Sequence, residues 1–141
     1  MAAVAEYIAD KSALARFSNA RVYAVLGPLI EAGLVATCAV IELEVLWSTR
    51  TVGEFDRVLA DRQAGYEWLP TEDPDWRRAI DVQQQLWATG LIRAVPLPDL
   101  LVAAVAERHR VTVMHYDADY DRIAAITHQP TQWVVPPGSV S

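Results

Sequence analysis

The sequence predicts an α/β protein, a single domain with a central parallel β-sheet flanked by α-helices on both faces. Three observations predict it. Five short apolar segments recur along the chain with helical segments between most of them. The 141 residues are 52% hydrophobic and 21% charged, enough apolar material for one core. Acidic residues stand directly behind strand-like runs, where a parallel sheet turns into its helices.

The elements follow in order. "AEYIA" (5–9) reads as the first strand and is closed by Asp10. Residues 21–32 place Val22, Val25, Leu26, Leu29 and Ile30 on one helical stripe, with Gly27 and Pro28 marking a point where that helix can break or restart. "LVATC" (34–38) is the second strand, and residues 39–49 and 51–64 read as helical. "GYEWL" (65–69) is the third strand, followed by helical segments at 74–89 and 99–109; Pro98 and Asp99 are ordinary helix-start residues. "VTVMHY" (111–116), rich in β-branched residues, is the clearest strand, and "QWVV" (132–135) is the last. No repeat, low-complexity tract or linker is present. The domain is expected to span 1–135, with "PPGSVS" (136–141) as a flexible tail.

Composition excludes some functions. A net charge of −6 and a pI near 4.9 argue against holding nucleic acid by bulk charge, so any such partner must be held locally. Lys11 is the sole lysine; every other basic side chain is arginine, which suits two-pronged contacts to phosphate or carboxylate. Cys38 stands alone and reads as a buried core thiol. No run approaches the roughly 18 apolar residues of a membrane span. "MAAVAEYIAD" has no signal-peptide pattern, and the expected location is the cytoplasm.

The acids carry the chemistry. Asp10 and Asp117 each follow a strand, Asp119 comes two residues later, and Asp99 opens a helix. Glu44 lies in the otherwise apolar stretch "AVIELEVLWS" and competes with Glu42; two residues apart on a helix is about 200°, so only one of them faces the other acids. Singly, each has an ordinary reading as a cap, a turn residue or an arginine partner. Asp121 and Glu42 keep that reading, as solvated or cap residues. His109, His115 and His128 have no ligand-spaced partners and receive no role. Trp47, Trp68, Trp76, Trp87 and Trp133 read as core or dimer contacts rather than base-stacking platforms. Jointly, a crowd of carboxylates calls for a hard cation such as Mg²⁺ or Mn²⁺.

In that order, "YIADKSALAR", "TCAVIELEVLWSTR", "PLPDLLVAAVAERH" and "VTVMHYDADYDRIA" resemble the PIN-domain family, and within it the VapC-type ribonuclease toxins of bacterial toxin–antitoxin pairs. The resemblance covers nearly the whole chain. It implies a PIN-like fold and a catalytic pocket of Asp10, Glu44, Asp99 and Asp117, with Ser12 as a polar brace. It implies Mg²⁺ or Mn²⁺ bound by Asp10, Asp99, Asp117 and Asp119, and cleavage of RNA to a 5′-phosphate and a 3′-hydroxyl. Glu44 is preferred because the family's glutamate precedes a Val-Leu-aromatic-Ser run. Lys11 and Tyr120 depart from the pattern, where a small residue and Phe are commoner. The implied partners are a tRNA or rRNA substrate, a cognate VapB-like antitoxin whose arginine enters the pocket, and a second copy of the chain. The arginines nearest the motifs in sequence are Arg50 and Arg93.

Other classes fit less well. A phosphoacceptor receiver domain needs a lysine after its last strand, and a dehalogenase-like phosphatase needs Asp-x-Asp where this chain has "DKS". A catalytically silent PIN-like module that only binds RNA or protein would be expected to have lost an acid, and none is lost.

Overall fold

The computed structural model describes residues 2–141. Five strands, β1 (Tyr7–Ala9), β2 (Val35–Thr37), β3 (Glu67–Trp68), β4 (Thr112–His115) and β5 (Thr131–Trp133), form one sheet in the order β3-β2-β1-β4-β5. Every pairing is parallel. The helices are α1 (Lys11–Leu14), α2 (Ala20–Glu31), α3 (Ala39–Trp47), α4 (Val52–Gly65), α5 (Asp73–Ala88), α6 (Leu97–His109) and α7 (Asp119–Thr127). Each strand that the sequence predicts is present; the first four are trimmed, and β5 begins one residue earlier and ends two residues earlier than expected. The helix α7 and the single turn α1 are additions.

Alternation along the strands explains the two-sided core. Ile8, Ala36 and Val113 point to one face and pack with Ile41 of α3, Val82 and Leu86 of α5, Leu100, Val102 and Val105 of α6, and Ile123 of α7. Ala9, Val35 and Met114 point to the other and meet Ala13 of α1 with Val22 and Leu26 of α2. With both faces covered, central strands read as continuous apolar runs, which made them visible in the sequence. Helix α6 is buried from Asp99 through Ala106, so that stretch is apolar on all sides, and Asp99, the one acid in it, is conspicuous.

Two expectations change. Helix α2 runs unbroken through Gly27 and Pro28, because Pro28 falls near its end and its carbonyl accepts from Ala32 N–H to close the last turn. Of the two roles expected of the tryptophans, the core role does not hold for Trp47, Trp68, Trp76 and Trp87, which are exposed; Trp133 is half-buried against His115 and Tyr116. On α5 the buried apolar residues are Val82 and Leu86, and Trp76, Ile80 and Trp87 share a second, outward stripe. Beyond the last strand, the Tyr116 hydroxyl donates to the Val140 carbonyl at 2.8 Å.

The chain leaves β1 for β2 on one side and reaches β4 on the other, which makes the carboxyl ends of β1 and β4 the switch point of the sheet. Asp10 N–H donates to the Met114 carbonyl at 2.9 Å and holds the two ends together. No helix among the described residues is long and apolar enough to cross a membrane.

Candidate active site

The acids of interest gather at this switch point from four elements. Asp10 caps α1: its Oδ2 accepts from Ser12 N–H at 3.0 Å and from Ser12 Oγ at 2.6 Å, and its Oδ1 accepts from the Tyr120 hydroxyl at 2.7 Å. Ser12 Oγ in turn accepts from Tyr116 N–H at 2.9 Å, so the predicted brace joins the loop after β1 to the loop after β4. Asp10 is only 3% exposed.

Asp117 and Asp119 sit where β4 gives way to α7. Asp117 Oδ1 accepts from Asp119 N–H at 2.9 Å, and Asp117 N–H donates to His115 Nδ1 at 3.1 Å. His115, which the sequence left without a role, is fully buried between Tyr120 and Trp133, with ring centroids 5.0 Å from each. Burial holds its imidazole below the ordinary value, which suits a neutral ring whose Nδ1 accepts. Asp119 Oδ1 also accepts from Arg122 at 2.7 Å. Arg122, rather than Arg50 or Arg93, is therefore the arginine bound to an acid of this site.

Asp99 enters from the start of α6. It is 8% exposed, and its Oδ2 is buried with no hydrogen-bond partner. Desolvation first, then the charges of Asp10, Asp117, Asp119 and Glu44, push its carboxyl from 3.8 to about 8. Asp119 is also raised, by burial and by Asp117, against a lowering from Arg122. One carboxylate oxygen each from Asp99, Asp117 and Asp119 lie within 4.8 Å of one another, which makes these three the group among the described residues suited to a metal ion. Asp10 stands outside that trio, with both oxygens engaged by Tyr120 and Ser12.

The two glutamates of α3 separate as helical geometry requires. Glu44 faces the pocket: burial and Asp10 raise its carboxyl, Lys11 lowers it, and its Oε1 is buried without a partner. Glu42 faces away, but it is neither solvated nor a cap. It is buried in an ion pair with Arg62, whose Nε and Nη2 donate to it at 2.8 and 2.7 Å, and Thr37 Oγ1 donates to it as well. Arg62 also lies over the Tyr66 ring at 4.2 Å. Asp121, at the exposed start of α7, accepts from Trp133 Nε1 at 3.2 Å and stays apart from the trio.

The donor set fits a hard divalent cation. It is all carboxylate oxygen, it includes one buried oxygen with no other partner, and its mutual repulsion is relieved by positive charge.

Comparison with known proteins shows the family. The PIN domain family model matches residues 7–126. The chain belongs to the PIN domain family. It is 44% identical over 133 residues to Ribonuclease VapC21 of Mycobacterium tuberculosis, covering 94% of this chain and 96% of that one. It is 40% identical over 135 residues to Ribonuclease VapC51 of the same organism, covering 96% and 97%. Among solved structures, DNA-bound VapBC from Salmonella typhimurium superposes with a TM-score of 0.73 at 12% identity, over 93% of this chain and 99% of that one. VapBC-1 from nontypeable Haemophilus influenzae gives 0.72 at 13% identity, over 91% and 97%. The PIN fold is thus shared at identities where only the fold can be compared.

Proposed function

We propose that this chain is a metal-dependent endoribonuclease and the toxin of a toxin–antitoxin pair, with Mg²⁺ or Mn²⁺ held by Asp99, Asp117 and Asp119. The observation that carries it is the convergence of those three carboxylates within 4.8 Å, with Asp99 forced up to about 8 in their company. The names of the relatives, ribonucleases at 40–44% identity over nearly the whole chain, support the RNA substrate.

When bound, the cation supplies Lewis acidity to a phosphoryl oxygen and lowers the pKa of water. The chain's residues do the rest. Asp99, Asp117 and Asp119 hold the ion, and Asp10 adds negative charge from behind, fixed by Ser12 and Tyr120. Glu44, with an unpartnered oxygen and a raised carboxyl, is placed to take the proton of the attacking water as the new O–P bond forms. The P–O3′ bond then breaks and the leaving 3′ oxygen takes a proton from solvent water, giving a 5′-phosphate and a 3′-hydroxyl. The acidic net charge is no obstacle, because the cation is itself the phosphate contact.

An antitoxin and a second copy are the proposed protein partners, following the VapBC neighbours. An apolar groove between α3 and α4, lined by Leu43, Leu46, Leu59 and Trp68, lies next to the acid helix and offers a surface for the antitoxin. The outward stripe of Trp76, Ile80 and Trp87 offers one for the second copy. An antitoxin arginine entering the pocket would satisfy two carboxylates at once.

Sequencing RNA ends after brief expression tests the function. The expected result is new 5′-phosphate ends at defined positions in transfer or ribosomal RNA, absent when Asp117→Asn is expressed to the same level. No new ends, or the same ends with Asp117→Asn, overturns the proposal.

A further inference from the structure

Tyr120 is an anomaly of this chain. Its side chain is fully buried, and its hydroxyl has one partner, Asp10 Oδ1 at 2.7 Å, 110 residues away in sequence. It lies one residue beyond Asp119 and stacks on His115, the ring that accepts from Asp117 N–H. A phenylalanine would fill the same space, so the ring accounts for packing and the hydroxyl does something else.

Asp10 shows what that is. Its carboxylate is buried next to Asp99, and each oxygen has a donor: Ser12 on Oδ2 and Tyr120 on Oδ1. Ser12 belongs to α1 and its Oγ also accepts from Tyr116 N–H, so it ties Asp10 to the end of β4 and not to α7. Tyr120 belongs to α7, the helix that also carries Asp119. The Tyr120–Asp10 bond is therefore a side-chain tie between the acid behind β1 and the helix that carries Asp119 of the metal trio. Free of that tie, the carboxylate could turn about its χ2 bond, which is broad and roughly two-fold.

We propose that Tyr120 is a positioning residue for the metal site, fixing the Asp10 carboxylate so that its charge is set against the cation held by Asp99, Asp117 and Asp119. The inference rests on the metal reading above. Hydrogen-bonding partners of metal ligands typically carry a 10–100-fold effect on metal affinity; Tyr120 acts one step further out, through an acid beside the trio, and the lower end of that range is expected of it.

The test is Mn²⁺ binding, measured by titration calorimetry on metal-free protein, with the melting temperature in chelator recorded beside it. Tyr120→Phe is expected to bind Mn²⁺ about tenfold more weakly than the parent. In an Asp10→Asn background the same substitution is expected to change Mn²⁺ affinity less than threefold, because the hydroxyl has lost its charged partner. Unchanged or tighter Mn²⁺ binding by Tyr120→Phe overturns the proposal even if its melting temperature drops, since that is the signature of a purely structural bond. A tenfold loss on adding Tyr120→Phe to Asp10→Asn also overturns it, and this arm stands if the single variant fails to fold. Failure of the parent itself to bind Mn²⁺ would instead remove the metal reading on which the inference rests.

Discussion

Asp99→Asn lowers RNA cleavage by more than about 100-fold, the upper end of what losing an outer partner of a metal ligand costs, and makes the metal-free chain more stable. The two effects share one cause. Asp99 is buried among like charges, with a carboxyl raised from 3.8 to about 8 and an oxygen that nothing satisfies. The sign follows from proton counting. Below pH ~4 folded and unfolded chains both hold the proton, and no penalty exists. Between ~4 and ~8 the unfolded chain has released a proton that the folded chain retains, so stability falls as pH rises, by up to about 1.4 kcal/mol per unit. Above ~8 the penalty is constant. Asparagine removes this slope, and its amide can donate to neighbouring carboxylates. Melting curves in chelator should therefore show a gain for Asp99→Asn that is near zero at pH 4 and largest at pH 8. The same titration makes Mn²⁺ binding to the parent weaken as pH drops below about 8, since the ion competes with the proton. A variant as active as the parent, or a gain that shrinks as pH rises, would count against this account.

The second large effect separates the two glutamates of α3. Glu42→Gln leaves the Arg62 guanidinium buried without its counter-charge, a change that costs about 3–5 kcal/mol, or on the order of 10 °C in melting temperature. Replacing both partners with apolar residues, Glu42→Leu with Arg62→Met, should recover most of the loss, because the pair's desolvation cost disappears with it. Glu44→Gln should do the reverse, leaving stability within about 0.5 kcal/mol or raising it, and abolishing most cleavage. Urea unfolding and single-turnover cleavage well below the melting temperature make the comparison. Full activity in Glu44→Gln with a dead but stable Glu42→Gln would invert the helix-face assignment.

What could be read from the sequence follows from what each feature depends on. The strands are written locally: a parallel strand covered on both faces must be apolar, so "YIA", "VAT" and "TVMH" stand out. Helix α7 was harder, because "DYDRIAAIT" opens with acids that read equally well as a loop. The acids were legible as strand-end and helix-start residues, but choosing Glu44 over Glu42 needed the family resemblance as well as the helical angle. Pairings across the fold were not legible. Glu42 meets Arg62 from 20 residues away and Tyr120 meets Asp10 from 110, contacts that exist only once the sheet order is set. Arg122 and His115, by contrast, lie three and two residues from the acids they bond, local contacts whose partners depend on the turn between β4 and α7. The tryptophans left core and dimer contact undivided, because an apolar stripe records that a surface avoids water and not which surface covers it.

The central claim is that Asp99, Asp117 and Asp119 form one cation pocket. Its most direct test is the melting temperature of the metal-free chain and of Asp117→Asn and Asp119→Asn, each in chelator and in Mn²⁺. At a hundredfold excess over the dissociation constant the parent should gain about 2.7 kcal/mol, and at the same Mn²⁺ concentration the variants should gain clearly less. Equal stabilisation of parent and variants would show that the ion binds elsewhere, and would contradict the account.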